Sequence, residues 1–408
     1  MTMSSVALDR GTLAAAAPPV EKAETAARVR LDSVDLLRGL VMVVMALDHT
    51  RDFFGAGAMN PRDVAEPALF LTRWITHFCA PVFIFLAGLS AYLYGSRGRT
   101  TGELSCFLLT RGFWLILIEF TLVRFGWTFG LDLGVFVMQV IWAIGASMVV
   151  LAVLVNLPRW AVLTVGLGMI AGHNLLDSVR AEDLGAVSPL WTVVHQPGLL
   201  PLTATTHLFV LYPLIPWVGV MATGYALGPV FALKRHVRVG LLAGLSAAVT
   251  AGFVLIRAAN FYGDPSPWSV QPTGLATVLS FLNCEKYPPS LLYLMMTLGP
   301  GLVLLAAFEG VRGRLADIVI TFGRVPLFYY VAHLYLIHLL AIPFALAALG
   351  DAAWLLGDGP LRHKPHGYGL DLAGIYAAWL FVVAALYWPC HWFAALKQRR
   401  TDWWLSYL

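Results

Sequence analysis

The sequence predicts an all-α integral membrane protein that crosses the bilayer many times. Of its 408 residues, 59% are hydrophobic and 12% are charged, and its mean hydropathy is +0.75. A soluble domain carries about 25% charged residues. Apolar runs of about 20 residues, long enough to cross ~30 Å of hydrocarbon, recur along the whole chain. Each segment must satisfy its own backbone hydrogen bonds inside a bilayer, so we expect a bundle of helices.

Ten apolar segments are predicted to be membrane-spanning helices. They lie near residues 35–55, 73–95, 104–127, 133–156, 160–176, 206–232, 238–258, 288–308, 317–349 and 371–395. If the N-terminus is cytoplasmic, the inner connections and both tails hold 15 of the 27 Lys and Arg residues, and the longer outer loops hold 9. Because positive charge is enriched on the cytoplasmic side of a membrane, we expect both termini to be cytoplasmic.

The segment 317–349 leaves that count open, because it contains Pro326 and Pro343. It forms either one kinked helix or a pair of shorter helices. A pair would place the C-terminal tail on the opposite side of the membrane.

The domain organisation is expected to be simple. Residues 1–30 lack an apolar core and are predicted to be a disordered cytoplasmic tail. Residues 31–396 are predicted to form one transmembrane domain, and residues 397–408 a cytoplasmic C-terminal tail. The four cysteines show no C-x-x-C spacing, so the sequence indicates neither a disulfide framework nor a zinc site.

Polar residues recur on one face of the first segment. Arg38 and His49 are eleven residues apart, which places them within about 20° of one helix face and about 16 Å apart along its axis. Asp48 directly precedes His49. An ionisable group inside a membrane helix is costly in hydrocarbon and therefore marks a candidate functional site. The simpler explanations are snorkelling for Arg38 and a structural hydrogen bond for His49.

Other segments also carry ionisable groups that are costly in lipid. These are His77, Arg111, Glu119, His207, Arg324, His333 and His338. No nucleotide-binding, serine-hydrolase or HExxH motif accompanies them, and the His spacing is not that of a metal-binding helix, so no metal is expected. What remains is a buried general base or nucleophile, with cations able to hold a phosphate-bearing or other anionic ligand. The long outer loops suggest that a bulky or polar substrate is handled there.

Several blocks of the sequence resemble a known family. RLDSVDLLRGL at residues 30–40 resembles the opening of the heparan-α-glucosaminide N-acetyltransferase catalytic family, whose bacterial members include the DUF1624 proteins. The spacing from Arg38 to His49 is also similar to a signature of acyltransferase-3 membrane proteins. Further blocks similar to the bacterial family are HFCAPVFIFLAG (77–88), EKYPPSLLYLMMTLGP (285–300), GRVPLFYYVAHLYLIH (323–338) and WPCHWFAALKQRRTDWWLSYL (388–408).

The resemblance implies transmembrane acyl transfer in a bacterial inner membrane, by a transmembrane acyltransferase-like domain at residues 31–396. The donor would be cytoplasmic acetyl-CoA or another acyl-CoA, used as a co-substrate without a metal. The acceptor would be a hydroxyl or amine of an exported or periplasmic glycan.

The resemblance also implies roles for individual residues. His49, next to Asp48, would be the acyl acceptor or general base, and His333 would support it. The expected CoA-binding cations are Arg38, Arg111 and Arg324, with Arg38 on the cytoplasmic side. The expected residues of the acceptor side are His77, His207, Glu285 and Lys286. The family's catalytic His in the loop after the first helix has no counterpart here, since residues 55–76 contain no His.

Two other functions stay open on the sequence. A transporter for a small anionic or lipid-linked solute would use the same cations as a binding site, although no internal repeat supports it. A structural or assembly protein would use its polar residues to tie helices together. Membrane lipid is an expected partner, and the modest net charge of +4 argues against nucleic acid. The oligomeric state, including a homo-oligomer, is open.

Overall fold

The computed structural model describes residues 31–57, 59–357, 364–400, 402 and 405. The tail predicted at residues 1–30 lies outside the described residues. The same holds for residues 401, 403, 404 and 406–408 of the predicted C-terminal tail.

The described chain is built mainly of α-helices. In chain order they are α1 (Asp32–Phe54), α2 (Pro67–Thr76), α3 (Cys79–Gly95), α4 (Thr101–Ile118), α5 (Arg124–Thr128), α6 (Val140–Leu154), α7 (Arg159–Gly172), α8 (Ser188–Val194), α9 (Leu214–Ala226), α10 (Arg235–Ala259), α11 (Gly274–Leu282), α12 (Leu291–Ala307), α13 (Arg314–Arg324), α14 (Pro326–Leu349) and α15 (Leu372–Arg399). A π-helical turn at Glu119–Val123 joins α4 to α5.

Six helical stretches of the described chain are long and apolar enough to cross a membrane. They are Pro67–Gly95, Thr101–Thr128, Leu214–Ala232, Arg235–Ala259, Pro326–Leu349 and Leu372–Arg399. A seventh would be the pair Arg159–Leu176 and Ala181–Val194, which is bent by 116°. The protein is therefore an integral membrane protein. The count of ten spans and the cytoplasmic placement of both termini stay predictions.

Three short β-strands interrupt the helices, and here the prediction of helix throughout was wrong. The segments 133–156 and 206–232 begin as β1 (Val135–Met138) and β3 (His207–Val210), which pair in parallel. β2 (Gly198–Pro201) pairs with β3 antiparallel, so the order is β1-β3-β2. A short apolar run has no period that distinguishes a strand from a buried helix. The strand pairing also joins residues about 70 positions apart, which no local pattern reveals.

The segment 317–349 proves to be two helices. α13 ends at Arg324 and α14 begins at Pro326, with Val325 between them in a non-helical conformation. Proline suits the first position of a helix, because its missing N–H would have no intrahelical acceptor there. Pro343 lies inside α14. Of the two helices, α14 is the one long enough to cross a membrane.

Helix α1 packs against α3, α13, α14 and α15. Its contact with α13 is the closest, because glycines face each other across the interface. A Cβ added to Gly39 would lie 1.9 Å from the carbonyl oxygen of Val319, and one added to Gly323 would lie 1.9 Å from that of Asp35. No side chain fits at either position without moving the backbone. α1 and α13 are thus held at backbone-to-backbone distance.

Candidate active site

The C-terminal end of α1 borders a cavity of about 1280 Å³. The remaining wall comes from the junction of α2 and α3, from β1, β3 and the start of α6, and from the segments around Lys286 and Lys364. Pockets for small ligands usually measure about 300–1,000 Å³. This cavity is large enough for the reacting parts of two substrates.

His49 forms part of the cavity wall and is bonded to a second histidine behind it. Nδ1 of His49 lies 2.7 Å from Nε2 of His333. Nδ1 of His333 lies 2.8 Å from the carbonyl oxygen of Tyr329, one turn earlier in α14. A carbonyl oxygen only accepts, so the neutral His333 donates from Nδ1 and accepts at Nε2. His49 must then donate from Nδ1, which leaves its Nε2 unprotonated and able to act as a base.

Aromatic rings surround the His49 imidazole. Trp127 meets it edge-on at 5.1 Å between ring centroids, and Tyr330 does so at 5.9 Å. Phe53 stacks on Trp127 at 5.3 Å. His49, Trp127 and Tyr330 are all buried. The rings fix the orientation of the imidazole and keep its surroundings poor in water, which strengthens any polar interaction made there.

Asp48 organises the charged residues next to His49. Its carboxylate lies 2.6 Å from Nη2 of Arg51 and 3.9 Å from Nζ of Lys286, and it accepts a hydrogen bond of 3.1 Å from the Thr76 hydroxyl. Among the hydrogen bonds of the described residues, none joins Asp48 to the His49 ring. Asp48 therefore holds two cations at the cavity wall, while His333 orients the imidazole.

Lys364 adds a further amine to the wall, from the segment that precedes α15. Its Nζ donates to the carbonyl oxygen of Gly55, 2.7 Å away, beyond the end of α1. Burial lowers the pKa of Lys364 to about 8, and the carboxylate of Asp52 opposes this shift only in part. A free lysine has a pKa of about 10.4. About half of the Lys364 side chains are therefore neutral at pH 8.

Lys364 is expected to be the most readily acylated lysine at pH 8, because the neutral amine is the nucleophile. Its labelling should rise through a midpoint near pH 8, measured by mass spectrometry after brief exposure to an amine-reactive ester. The exposed Lys234 serves as the internal reference. Because the folded pKa lies below the unfolded one, stability should also rise with pH between about 8 and 10.4. A labelling midpoint above pH 10 would contradict the assignment.

The structure brings part of the predicted site together. Four predicted residues line the cavity: Asp48, His49, His207 and Lys286. His333 lies directly behind His49 and is bonded to it. Five predicted residues lie outside the wall that the described residues form: Arg38, His77, Arg111, Glu285 and Arg324.

Some of these outlying residues have contacts that explain their positions. Arg38 donates to Asp35 at 2.9 Å and to the carbonyl oxygen of Gly323 at 3.3 Å, and its Nη2 donates to Ser90 at 2.7 Å. It thereby joins α1 to α13 and α3. The Glu285 carboxylate accepts hydrogen bonds from Arg62 at 2.7 Å and from the backbone N–H of Lys286 at 3.2 Å. The roles of the five residues in binding CoA or acceptor stay predictions.

Sequence reasoning missed several residues of the cavity wall. Trp127, Tyr330, Arg51 and Lys364 line it, together with residues of β1 and β3. Tyr330 precedes His333 by three residues, so the helical period places both on one face of α14. That spacing could have identified Tyr330. No local signal points to Lys364, because its contact with Gly55 joins positions 309 residues apart.

Comparison with known proteins assigns the chain to a family. No curated protein matches the chain significantly. The sequence model described as heparan-alpha-glucosaminide N-acetyltransferase, catalytic, matches residues 30–257, which is 228 of the 408 residues. The matched range contains α1 with His49 and the wall residue Trp127, and it ends before Lys286 and His333. The chain belongs to the heparan-alpha-glucosaminide N-acetyltransferase catalytic family of membrane acetyltransferases.

Proposed function

We propose that this protein transfers an acetyl group from acetyl-CoA to a hydroxyl or amine of a glycan, with His49 as the general base. The observation that carries the proposal is the hydrogen bond between His49 and His333 at the wall of the cavity. This bond leaves Nε2 of His49 as a base in a site with room for both reacting groups. The family match supports acetyl transfer as the reaction.

In the proposed reaction, the oxygen or nitrogen of the glycan acceptor attacks the carbonyl carbon of the acetyl-CoA thioester. At the same time, Nε2 of His49 takes the proton of the attacking hydroxyl or amine. The new C–O or C–N bond forms and the carbonyl oxygen becomes negative. When the carbonyl re-forms, the C–S bond breaks and CoA leaves as a thiolate. That thiolate takes the proton from His49, so free CoA and the acetylated glycan are released and the base is restored.

We also propose where the two substrates come from. The predicted orientation places the His49 end of α1 toward the outer side of a bacterial inner membrane, where an exported or periplasmic glycan reaches it. Acetyl-CoA would come from the cytoplasm, on the side of Arg38. Arg51, Lys286 and His207 at the cavity wall supply charge and hydrogen-bond donors for a polar acceptor.

The test uses the full chain in lipid nanodiscs with acetyl-CoA labelled in its acetyl group and a soluble α-glucosaminide, the acceptor class that the family name indicates. We expect labelled N-acetylated product and an equal amount of free CoA thiol. Nanodiscs without protein give the background. Acetyl-CoA consumption no faster than this background, with the glucosaminide or with extracted cell-envelope glycan as acceptor, would contradict the proposal.

Sealed vesicles, prepared either inverted or right-side-out, test from which side of the membrane acetyl-CoA enters. Acetyl-CoA added outside inverted vesicles should be consumed, with product accumulating in the lumen. Right-side-out vesicles should consume acetyl-CoA only after they are made permeable.

The transporter alternative gains no support from the cavity. It would place the anion site at Arg111 or Arg324, and neither residue belongs to the cavity wall formed by the described chain. The His49–His333 pair has the geometry of a base held in one tautomer, which solute transport does not require.

A further inference from the structure

Two residues that line the cavity beside His49 each carry a hydrogen-bond donor for which the described residues supply no acceptor. The donors are the hydroxyl of Tyr330, a residue that is 2% exposed, and Nε1–H of Trp127, a residue that is 5% exposed. Neither atom has a hydrogen-bond partner within the described part of the chain. A buried donor without an acceptor destabilises the folded state, because its lost hydrogen bond to water is not replaced. Such a cost is expected where an absent ligand supplies the acceptor.

The two side chains come from different helices but meet the same imidazole. Tyr330 comes from α14, three residues before His333, and its ring also meets that of His333 at 5.5 Å. Trp127 comes from α5, directly after the π-helical turn. Both approach His49 edge-on, at 5.9 and 5.1 Å between ring centroids.

A missing partner does not by itself mark a functional donor in this protein. The hydroxyl of Tyr329 and Nε1 of Trp217 are equally buried and also lack a partner within the described residues. Those two side chains, however, are not part of the cavity wall that the described residues form. What distinguishes Tyr330 and Trp127 is that both line the cavity and both contact the proposed base.

We propose that Tyr330 and Trp127 donate hydrogen bonds to the carbonyl oxygen of the acetyl group during transfer. This inference rests on the proposed function and adds the groups that stabilise the negative oxygen. As the acceptor atom bonds to the carbonyl carbon, the carbonyl π-electrons move to oxygen. The Tyr330 O–H and the Trp127 N–H then bind that oxyanion without losing their own protons. They release it when the carbonyl re-forms and the C–S bond to CoA breaks.

Conservative replacements test the inference by rate. Tyr330→Phe removes one oxygen atom and is expected to lower kcat about 100-fold, and Trp127→Phe at least 10-fold, with KM changed less than threefold. Tyr329→Phe and Trp217→Phe are the matched comparisons, because each removes an equally buried donor without a described partner. Each cavity variant should lose at least ten times more in kcat than its matched comparison. Equal losses within each pair would overturn the inference.

Infrared spectroscopy gives a readout that does not depend on turnover. Acetyl-CoA with a ¹³C-labelled carbonyl is bound to the His49→Ala variant, in which transfer is blocked. We expect the carbonyl stretch to shift to lower frequency on binding, and the shift to shrink when Tyr330→Phe or Trp127→Phe is added. A shift unaffected by both additions would overturn this inference and leave the role of His49 standing. Absence of acetyl-CoA binding would overturn the proposed function and this inference together.

Discussion

Replacing His49 with alanine should lower acetyl transfer about 100- to 10,000-fold while the protein still inserts and folds. The imidazole is the group in the cavity wall whose neighbour, His333, forces one nitrogen to stay unprotonated. General base catalysis by a positioned side chain contributes about 10²–10⁴-fold to a rate. The measurement is single-turnover release of labelled acetyl product per folded molecule. Imidazole added to His49→Ala should restore part of the rate, because the enlarged cavity admits it.

His338→Ala is the matched control for that variant. His338 is also a buried histidine of α14, and its ring nitrogens lie 2.9 Å from the carbonyl oxygen of Gly126 and 3.1 Å from that of Leu355. It does not belong to the cavity wall as described. We expect this variant to lose stability but to keep most of its transfer rate per folded molecule. Undiminished transfer by His49→Ala would refute the role of His49 as the base.

Replacing Arg257 with methionine should destabilise the protein by about 3–5 kcal/mol, the usual result of breaking a buried ion pair. Arg257 is 1% exposed and lies 3.7 Å from Asp264, whose side chain is equally buried. Its guanidinium also donates to four backbone carbonyls, those of Ser266, Ser280, Phe281 and Asn283. The replacement would leave all of these acceptors without the donor that now satisfies them.

The same variant should also disturb the cavity, because Asp264 anchors the segment that carries Lys286. Asp264 accepts 2.9 Å from the backbone N–H of Glu285 and 2.6 Å from the Ser290 hydroxyl. Thermal unfolding in detergent measures the stability, and transfer per folded molecule measures the site. Arg62→Met is the control, since Arg62 pairs with Glu285 at the surface, where an ion pair contributes about 0–1 kcal/mol. Equal losses of stability in Arg257→Met and Arg62→Met would contradict the stabilising role given to the buried Arg257–Asp264 pair.

The first helix shows how far sequence reasoning reaches. Helical geometry alone placed Arg38 and His49 on one face, and the cost of charge in lipid singled them out. The structure gives them separate tasks, since Arg38 joins three helices while His49 lines the cavity. The partner of His49 came from the family resemblance and not from spacing. His333 lies 284 residues away, and no periodicity connects two helices so distant in the chain.

The part of the cavity wall formed by β1, β3 and Lys364 shows what the sequence could not reveal. β1 and β3 are mainly apolar strands of four residues that lie shortly before helices, so each is read as the start of a longer hydrophobic segment. Their pairing, and the contact of Lys364 with Gly55, depend on tertiary packing of elements far apart in sequence. The donors of Tyr330 and Trp127, which have no acceptor among the described residues, likewise arise only in the folded state, because burial is what deprives them of water.

The glycine contact between α1 and α13 limits how this protein can move during a catalytic cycle. A backbone-to-backbone contact at Gly39 and Gly323 has no flexible side chains that could absorb sliding or rotation. We therefore expect α1 and α13 to move together as one rigid unit. His49, the proposed base, lies near the C-terminal end of α1 and moves with that unit. Any opening of the cavity that admits substrate or releases product then requires the other helices to move relative to α1 and α13. The depth of His49 in the bilayer would then stay constant during the catalytic cycle, while the surrounding helices open and close the cavity.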